Sequence, residues 1–193
     1  DPKGKKMSKS KGNVVEPQKV MQAYGADALR FWAANASLGK DLSYKEDDIK
    51  TALKTITKLL NVSNFAFLHL TDFKNKKVEL ELIDKGILSK FNDVIKECTN
   101  AFDNYEYSKS KMLSEIFFWS QICDNYLEIA KDRLYNPDKR GEDSRKSAQY
   151  VLYQLLLGTI KLFAPIMPYI SEEIYKTHFV KLEKEKSIHI SKW

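Results

Sequence analysis

Glycine and proline are scarce, seven and five in 193 residues, so the chain has few natural breaks. It has only two cysteines, Cys98 and Cys123, with no C-x-x-C spacing. That excludes a disulfide framework or a zinc ribbon and leaves reduced core thiols, with no disulfide partner expected. Three scattered histidines, His69, His178 and His189, give no metal-ligand cluster, so no metal site is expected. No apolar run approaches the roughly 20 residues of a membrane span, and the lysine-rich start has no apolar core of a signal peptide. Internal repeats and low-complexity tracts are absent too. These absences point to a soluble, cytoplasmic protein with no membrane partner.

What is present is an ordinary globular balance, 43% hydrophobic and 30% charged, in a chain long enough to bury a core. The net charge is +6 and the pI near 9.1. Such a balance favours polyanionic partners. Most lysines lie near acidic residues and read as solvated surface. Residues 1–11 differ: Lys3, Lys5, Lys6, Lys9 and Lys11 face a single acid, Asp1. The chain opens on Asp1-Pro2 rather than on methionine, which suggests an excised part of a longer protein.

The breaks divide the chain. Gly4 and Gly12 bracket the lysine cluster, so residues 1–13 read as a loop. Pro17 suits the first turn of a short helix that Gly25 ends near Tyr24, and a second short helix covers about 26–36. Ser43-Tyr44-Lys45-Glu46 has the capping-box pattern. Beyond it Ile49, Leu53, Ile56, Leu60, Ser63, Phe67 and Leu70 recur at spacings of four and three, one face of an amphipathic helix. After a polar loop at 71–77 a second stripe runs through Leu88, Phe91, Ile95, Cys98 and Phe102. A third runs from Met112 through Trp119, Cys123 and Tyr126 to Leu134. A turn at 136–143 precedes a fourth helix, Ala148 to Phe163, stopped by Pro165 and Pro168. Ser171 can cap a short last helix, and Ile188-His189-Ile190 reads as a lone strand. Asp27 and Arg30 are spaced to pair across one helical turn and read as structural. The expected fold class is mainly α: an antiparallel helix bundle preceded by a loop and short helices.

The loop is the most specific feature. In Lys6-Met7-Ser8-Lys9-Ser10-Lys11-Gly12-Asn13, ammonium groups can offset charge that builds on a triphosphate as its bond to pyrophosphate breaks. Serine hydroxyls and backbone amides add hydrogen bonds, and a mobile loop can close on its substrate. By charge alone a solvated basic segment is the simpler reading. The literal string changes that, because it resembles the signature loop of class I aminoacyl-tRNA synthetases, in which ATP reacts with an amino acid to give an aminoacyl-adenylate. The resemblance implies that Lys6 and Lys9 are catalytic, that Lys6, Met7, Ser8, Lys9 and Ser10 bind ATP, and that Met7 packs beneath the loop. Lys9 matches the lysine usually assigned to ATP.

The resemblance covers nearly the whole chain. Gly12-Asn13-Val14-Val15-Glu16-Pro17 and Tyr24-Gly25-Ala26-Asp27-Ala28-Leu29-Arg30 look like the segments that follow the loop in this family. The aromatic stretch 119–126, the proline-flanked 162–175 and Ser187-Ile188-His189-Ile190 look like its helical part, which holds the anticodon stem and loop of tRNA. Ala36-Ser37-Leu38-Gly39-Lys40-Asp41-Leu42, with Lys58-Leu59-Leu60-Asn61, is most similar to the valine enzymes; isoleucine and leucine enzymes are the alternatives, and a stand-alone helical RNA-binding module the rival of another class. The implied division is 1–42, the end of a catalytic region, and 43–193, an anticodon-binding bundle. The implied partners are tRNA(Val), with valine and ATP (as its Mg2+ complex) in the full-length ligase. Nothing matches the family's Rossmann core or its editing insert, so the chain alone is expected to be inactive.

One polar face adds a second candidate. Lys54, Lys58, Asn61 and Phe65 recur at four, three and four, nearly opposite the Ile49 to Leu70 stripe. Lysines can approach phosphates, an amide can bond a base edge, and a phenylalanine can stack on an unpaired base. The plainer reading makes Phe65 part of a core shared with a neighbouring element.

Overall fold

A computed structural model describes residues 1, 3–74 and 78–192. The loop leads into two short helices, α1 (Pro17–Tyr24) and α2 (Ala26–Ala33). Pro17 sits in the first turn of α1, where its missing N–H costs nothing. Gly25 both ends α1 and starts α2 at φ 83° and ψ 160°, a conformation open to glycine but strained for any other residue. Long helices follow: α3 (Glu46–Leu68) and α4 (Leu82–Asp103). Then α5 (Tyr107–Ile116) passes through a π-helical stretch, Phe117–Tyr126, into α6 (Leu127–Tyr135). The turn expected at 136–143 contains one short helix, α7 (Pro137–Arg140); α8 (Glu142–Phe163) and α9 (Pro168–Ile174) complete the bundle. The described residues form no strand, and none of their helices is long and apolar enough to cross a membrane. This is the expected mainly α bundle. Of the loop expected at 71–77, residues 75–77 lie outside the described residues.

The helix α8 is the hub. It is buried almost all round from Ala148 to Phe163, the signature of a central rather than a surface helix. It packs against α3, α4, α5, α6 and α9. Phe163 meets Phe31 of α2 and Phe118 of the π stretch edge-on, at 6.2 and 6.1 Å between centroids. A buried ionic knot ties three helices. Arg133 of α6 grips Asp84 of α4 with two bonds of 2.8 and 2.7 Å, and Tyr126 and Ser147 also donate to that carboxylate. Both cysteines are buried, and burial pushes the Cys123 thiol up to about 12.

Four local expectations are corrected. The capping box does not form: Lys45 stands at the N-cap of α3, and Glu46 accepts from Tyr24 Oη instead of reaching back to Ser43. The buried face of α3 is Ile49, Ala52, Thr55, Leu59, Val62, Ser63 and Ala66, turned by roughly 70° from the expected stripe at 100° per residue. Small residues let α3 approach its neighbours closely, while the larger Leu60 is left 36% exposed. Ser171 is not a cap. Pro168 takes the first helical position of α9, and Ser171 is buried inside it. Ile188–Ile190 is a 3-10 turn, capped by Ser187, whose Oγ accepts from His189 N at 3.2 Å.

Candidate functional site

The lysine loop is folded around one side chain. Asn13 Oδ1 accepts from Ser8 N at 3.0 Å, while its amide donates to Lys6 O at 3.3 Å and to the Asp1 carboxylate at 2.9 Å. Ser8 is thereby held extended, and the tip closes as a 3-10 turn, Lys9–Lys11, ended by Gly12 in the left-handed region. The Ser8 and Ser10 hydroxyls lie 3.2 Å apart. Lys6, Lys9 and Ser10 are exposed and Ser8 is half-buried, so the tip presents two ammonium groups and two hydroxyls outward. That donor set suits phosphate oxygens. Met7, expected to pack beneath the loop, is instead 39% exposed.

The loop reaches the bundle through α1 and α2. Asp27 and Arg30 do not pair with each other, contrary to their spacing. Asp27 accepts from the backbone N–H groups of Tyr169 and Ile170, and Arg30 donates to the carbonyls of Pro165 and Ile166. Beside them Lys111, itself buried, lies 4.0 Å from the Phe31 ring centroid and bonds Glu115 at 2.6 Å.

The four residues of the α3 face share one side of the helix but not one environment. Lys54 and Asn61 are exposed. Lys58 is half-buried, its Nζ 5.7 Å from the Trp119 ring centroid, and Trp119 donates to Thr55 Oγ1 at 3.3 Å. Phe65 is also half-buried, because the core face turns toward its side of α3. It is neither isolated nor deep: it packs on the edge of the core and faces His69 at 5.0 Å and Tyr135 at 6.3 Å. Tyr135, His69 and Asn13 were not among the candidate site residues chosen from sequence. Tyr135 and Phe65 are 70 positions apart in the chain, so no periodicity links them. The Lys6–Asn13 spacing could have pointed to Asn13, since an Asn side chain readily bonds nearby backbone.

A cationic, serine-bearing loop carried on a connector that is locked to a helical bundle defines a class: a basic loop joined through two short helices to an α-helical domain. The model of the anticodon-binding domain of tRNA ligases matches residues 84–193, and that of class I tRNA synthetases (I, L, M and V) matches residues 1–45. The chain belongs to the family of tRNA ligases that carry this anticodon-binding domain. It is 40% identical over 195 aligned residues to the valine–tRNA ligase of Rickettsia conorii and 42% identical to that of Rickettsia typhi. Each alignment takes in 96% of this chain and 24% of the relative, so the chain spans about a quarter of the length of those ligases. Among solved structures, the methionyl-tRNA synthetase of Mycobacterium tuberculosis superposes with a TM-score of 0.72 at 19% identity, over 98% of this chain and 42% of that one. The agnB2 LeuRS of Agrobacterium radiobacter K84, solved in a ternary complex with tRNA and LeuAMS, gives 0.70 at 17%, over 100% and 22%. At those identities the likeness is one of fold.

Proposed function

We propose that this chain is part of a valine–tRNA ligase, with residues 1–42 completing its catalytic region and residues 43–193 binding the anticodon arm of tRNA(Val). The carrying observation is the intact Lys6-Met7-Ser8-Lys9-Ser10 loop in a chain 40% identical, over 96% of its length, to a valine–tRNA ligase. In the reaction, the valine carboxylate attacks the α-phosphorus of ATP and the bond to the pyrophosphate oxygen breaks. Lys6 and Lys9 offset negative charge as it shifts onto the departing pyrophosphate, and the Ser8 and Ser10 hydroxyls donate to its oxygens. Mg2+ enters with the nucleotide. The amino-acid pocket is supplied by the rest of the ligase. On the bundle, Lys54 and Lys58 approach RNA phosphates, Asn61 bonds a base edge, and Phe65 offers a stacking face.

The test uses the full-length ligase. Lys9→Ala slows valyl-adenylate formation by roughly 10²–10³, the range for one oriented charge-stabilising donor. The loss falls mainly on kcat, because the contact strengthens in the transition state. A variant with unchanged rate at saturating ATP overturns the assignment.

A further inference from the structure

The helix α3 carries two apolar faces, and the bundle uses only one of them fully. Small residues fill its core contact, while Leu53 and Ile56 stay half-buried and Leu60, one turn further on, is 36% exposed. Leu53 and Ile56 line a groove of about 900 Å³ between α2, α3 and α9. Its far wall is Pro168, Tyr169 and Ile170 at the start of α9, and its third side is the connector from Tyr24 to Ala28. Tyr169 is 69% exposed although its backbone N–H is held by Asp27. A ring on a fixed backbone thus stands uncovered beside half-buried aliphatic side chains, an arrangement that marks an interaction surface.

The charges on the rim decide the kind of occupant. Lys176 is held by Glu172 at 3.2 Å, and the Asp27 carboxylate by two backbone N–H groups, so neither offers a free charge. Glu173 is exposed and has no ion pair among the described residues. An apolar floor edged by an unpaired acid repels a phosphate backbone. A second copy docked face to face would set the same acids against each other. Peptide with apolar side chains and a cation fits both the floor and the rim. A source for it lies in the same polypeptide: the chain spans 24% of the Rickettsia conorii ligase, and the connector wall falls within the residues 1–45 that match the class I synthetase model. We propose that this groove docks a segment of the catalytic region of the same ligase, an apolar stretch that brings a lysine or arginine to Glu173. The inference rests on the ligase reading and deepens it, because the docked segment would touch the connector that carries the lysine loop.

The experiment places a thiol at the edge of the groove, Tyr169→Cys, and follows its labelling by a maleimide, read by peptide mass, in this chain and in the full-length ligase. Cys98 and Cys123 are buried and give little background in the chain. The new thiol is expected to label readily in the chain and at least about tenfold more slowly in the ligase, since a covered thiol reacts only when the contact opens. Hydroxyl-radical footprinting of the native Tyr169 makes the same comparison without any substitution, so a poorly folded variant does not blunt the test. Glu173→Lys is expected to lower the thermal midpoint of the ligase and to leave that of this chain in place; an unchanged ligase midpoint overturns the ion pair. Equal reactivity of position 169 in chain and ligase overturns the docking. Protection that appears only with added tRNA, or only at high protein concentration, also overturns it, by assigning the groove to RNA or to a second copy. Valine-dependent ATP–pyrophosphate exchange by the parent ligase tests the ligase reading separately: its absence overturns that reading, whereas exchange with an unprotected Tyr169 overturns the docking alone.

Discussion

Asp27 and Arg30 stand one helical turn apart and hold opposite sides of the same junction. The Asp27 carboxylate accepts from Ile170 N at 2.7 Å and from Tyr169 N at 3.3 Å; Arg30 reaches Pro165 O at 2.7 Å and Ile166 O at 2.9 Å. These N–H groups belong to the first turn of α9, where a helix has no internal acceptors. Asp27 is thus an N-cap supplied from α2, 142 residues away along the chain. It also fixes the connector that carries the lysine loop. Asp27→Ala is expected to cost about 1–2 kcal/mol, as for loss of a side-chain cap, and Asp27→Asn less, since one amide oxygen can still accept. Urea melts of the three chains check this, and an unchanged midpoint for Asp27→Ala refutes it.

Gly158 reverses the usual rule for helix glycines. Replacing a mid-helix glycine by alanine normally stabilises by about 1 kcal/mol. Here a Cβ would stand 2.4 and 2.7 Å from ring atoms of Phe91, which is buried and stacked on Phe117 at 5.0 Å. Its burial and that stack oppose a retreat of the ring. Gly158→Ala is therefore expected to destabilise by about 1–3 kcal/mol through overpacking, while Gly158→Ala with Phe91→Leu recovers part of the loss. Thermal melting of the single and double variants separates the two effects; a raised midpoint for the single change contradicts the close approach.

The helices were legible because their apolar periods and breaks are local properties: Pro17, Gly25 and Gly141 fall where helices start or end. The rotation of the α3 core was not legible. Alanine, threonine and serine carry little hydrophobic signal, yet Ala52, Thr55, Ser63 and Ala66 are buried as deeply as Ile49 and Leu59. The Asp27–Arg30 pairing failed for a related reason. Spacing reports which side chains are neighbours on one helix, whereas each of these found a stronger, unsatisfied backbone partner on another element. The lysine loop was readable as a string of residues. Its folding around Asn13 was not, and the meeting of Tyr135 with Phe65 and His69 depends wholly on tertiary contact.

Acid should loosen the bundle in a defined window. Arg145's paired bonds, helped by Gln149 and opposed by partial burial, hold the Asp72 carboxyl at about 2. Burial pushes the Asp84 carboxyl up, but bonds from Arg133, Ser147 and Tyr126 outweigh it and leave it below the usual carboxylate range. Both groups bind fewer protons folded than unfolded, so their contribution is complete above the unfolded value near 4. It is lost as pH falls through the folded values, toward about 2 for Asp72. Urea midpoints are expected to stay nearly level from about pH 7 to 5 and to drop between about pH 4 and 2. Asp72→Asn, which keeps the shape without the charge, should show a shallower drop. A steeper one opposes the assignment.

Asn13 should position the lysine loop without touching substrate. Its side chain bonds the backbone on both sides of Met7, at Ser8 N and Lys6 O, so it sets the direction in which Lys6, Ser8 and Lys9 project. Asn13→Ala removes both of these bonds and the one to the Asp1 carboxylate, and leaves every charge in place. In this chain the Ser8 amide should then exchange faster with solvent, while the Lys11 amide, bonded to Ser8 O at 3.1 Å within the tip turn, changes less. In the full-length ligase the same change should lower kcat for adenylate formation by more than it raises the KM for ATP. The reason is that cations pointed a few tenths of an ångström astray still attract the nucleotide but no longer meet the charge that develops on it. Raising salt weakens ATP binding by the variant and the parent alike, so the kcat deficit should persist across a salt series. A deficit confined to KM would make Asn13 an ordinary binding contact, and Ser8 exchange equal in the two chains would remove the clamp altogether.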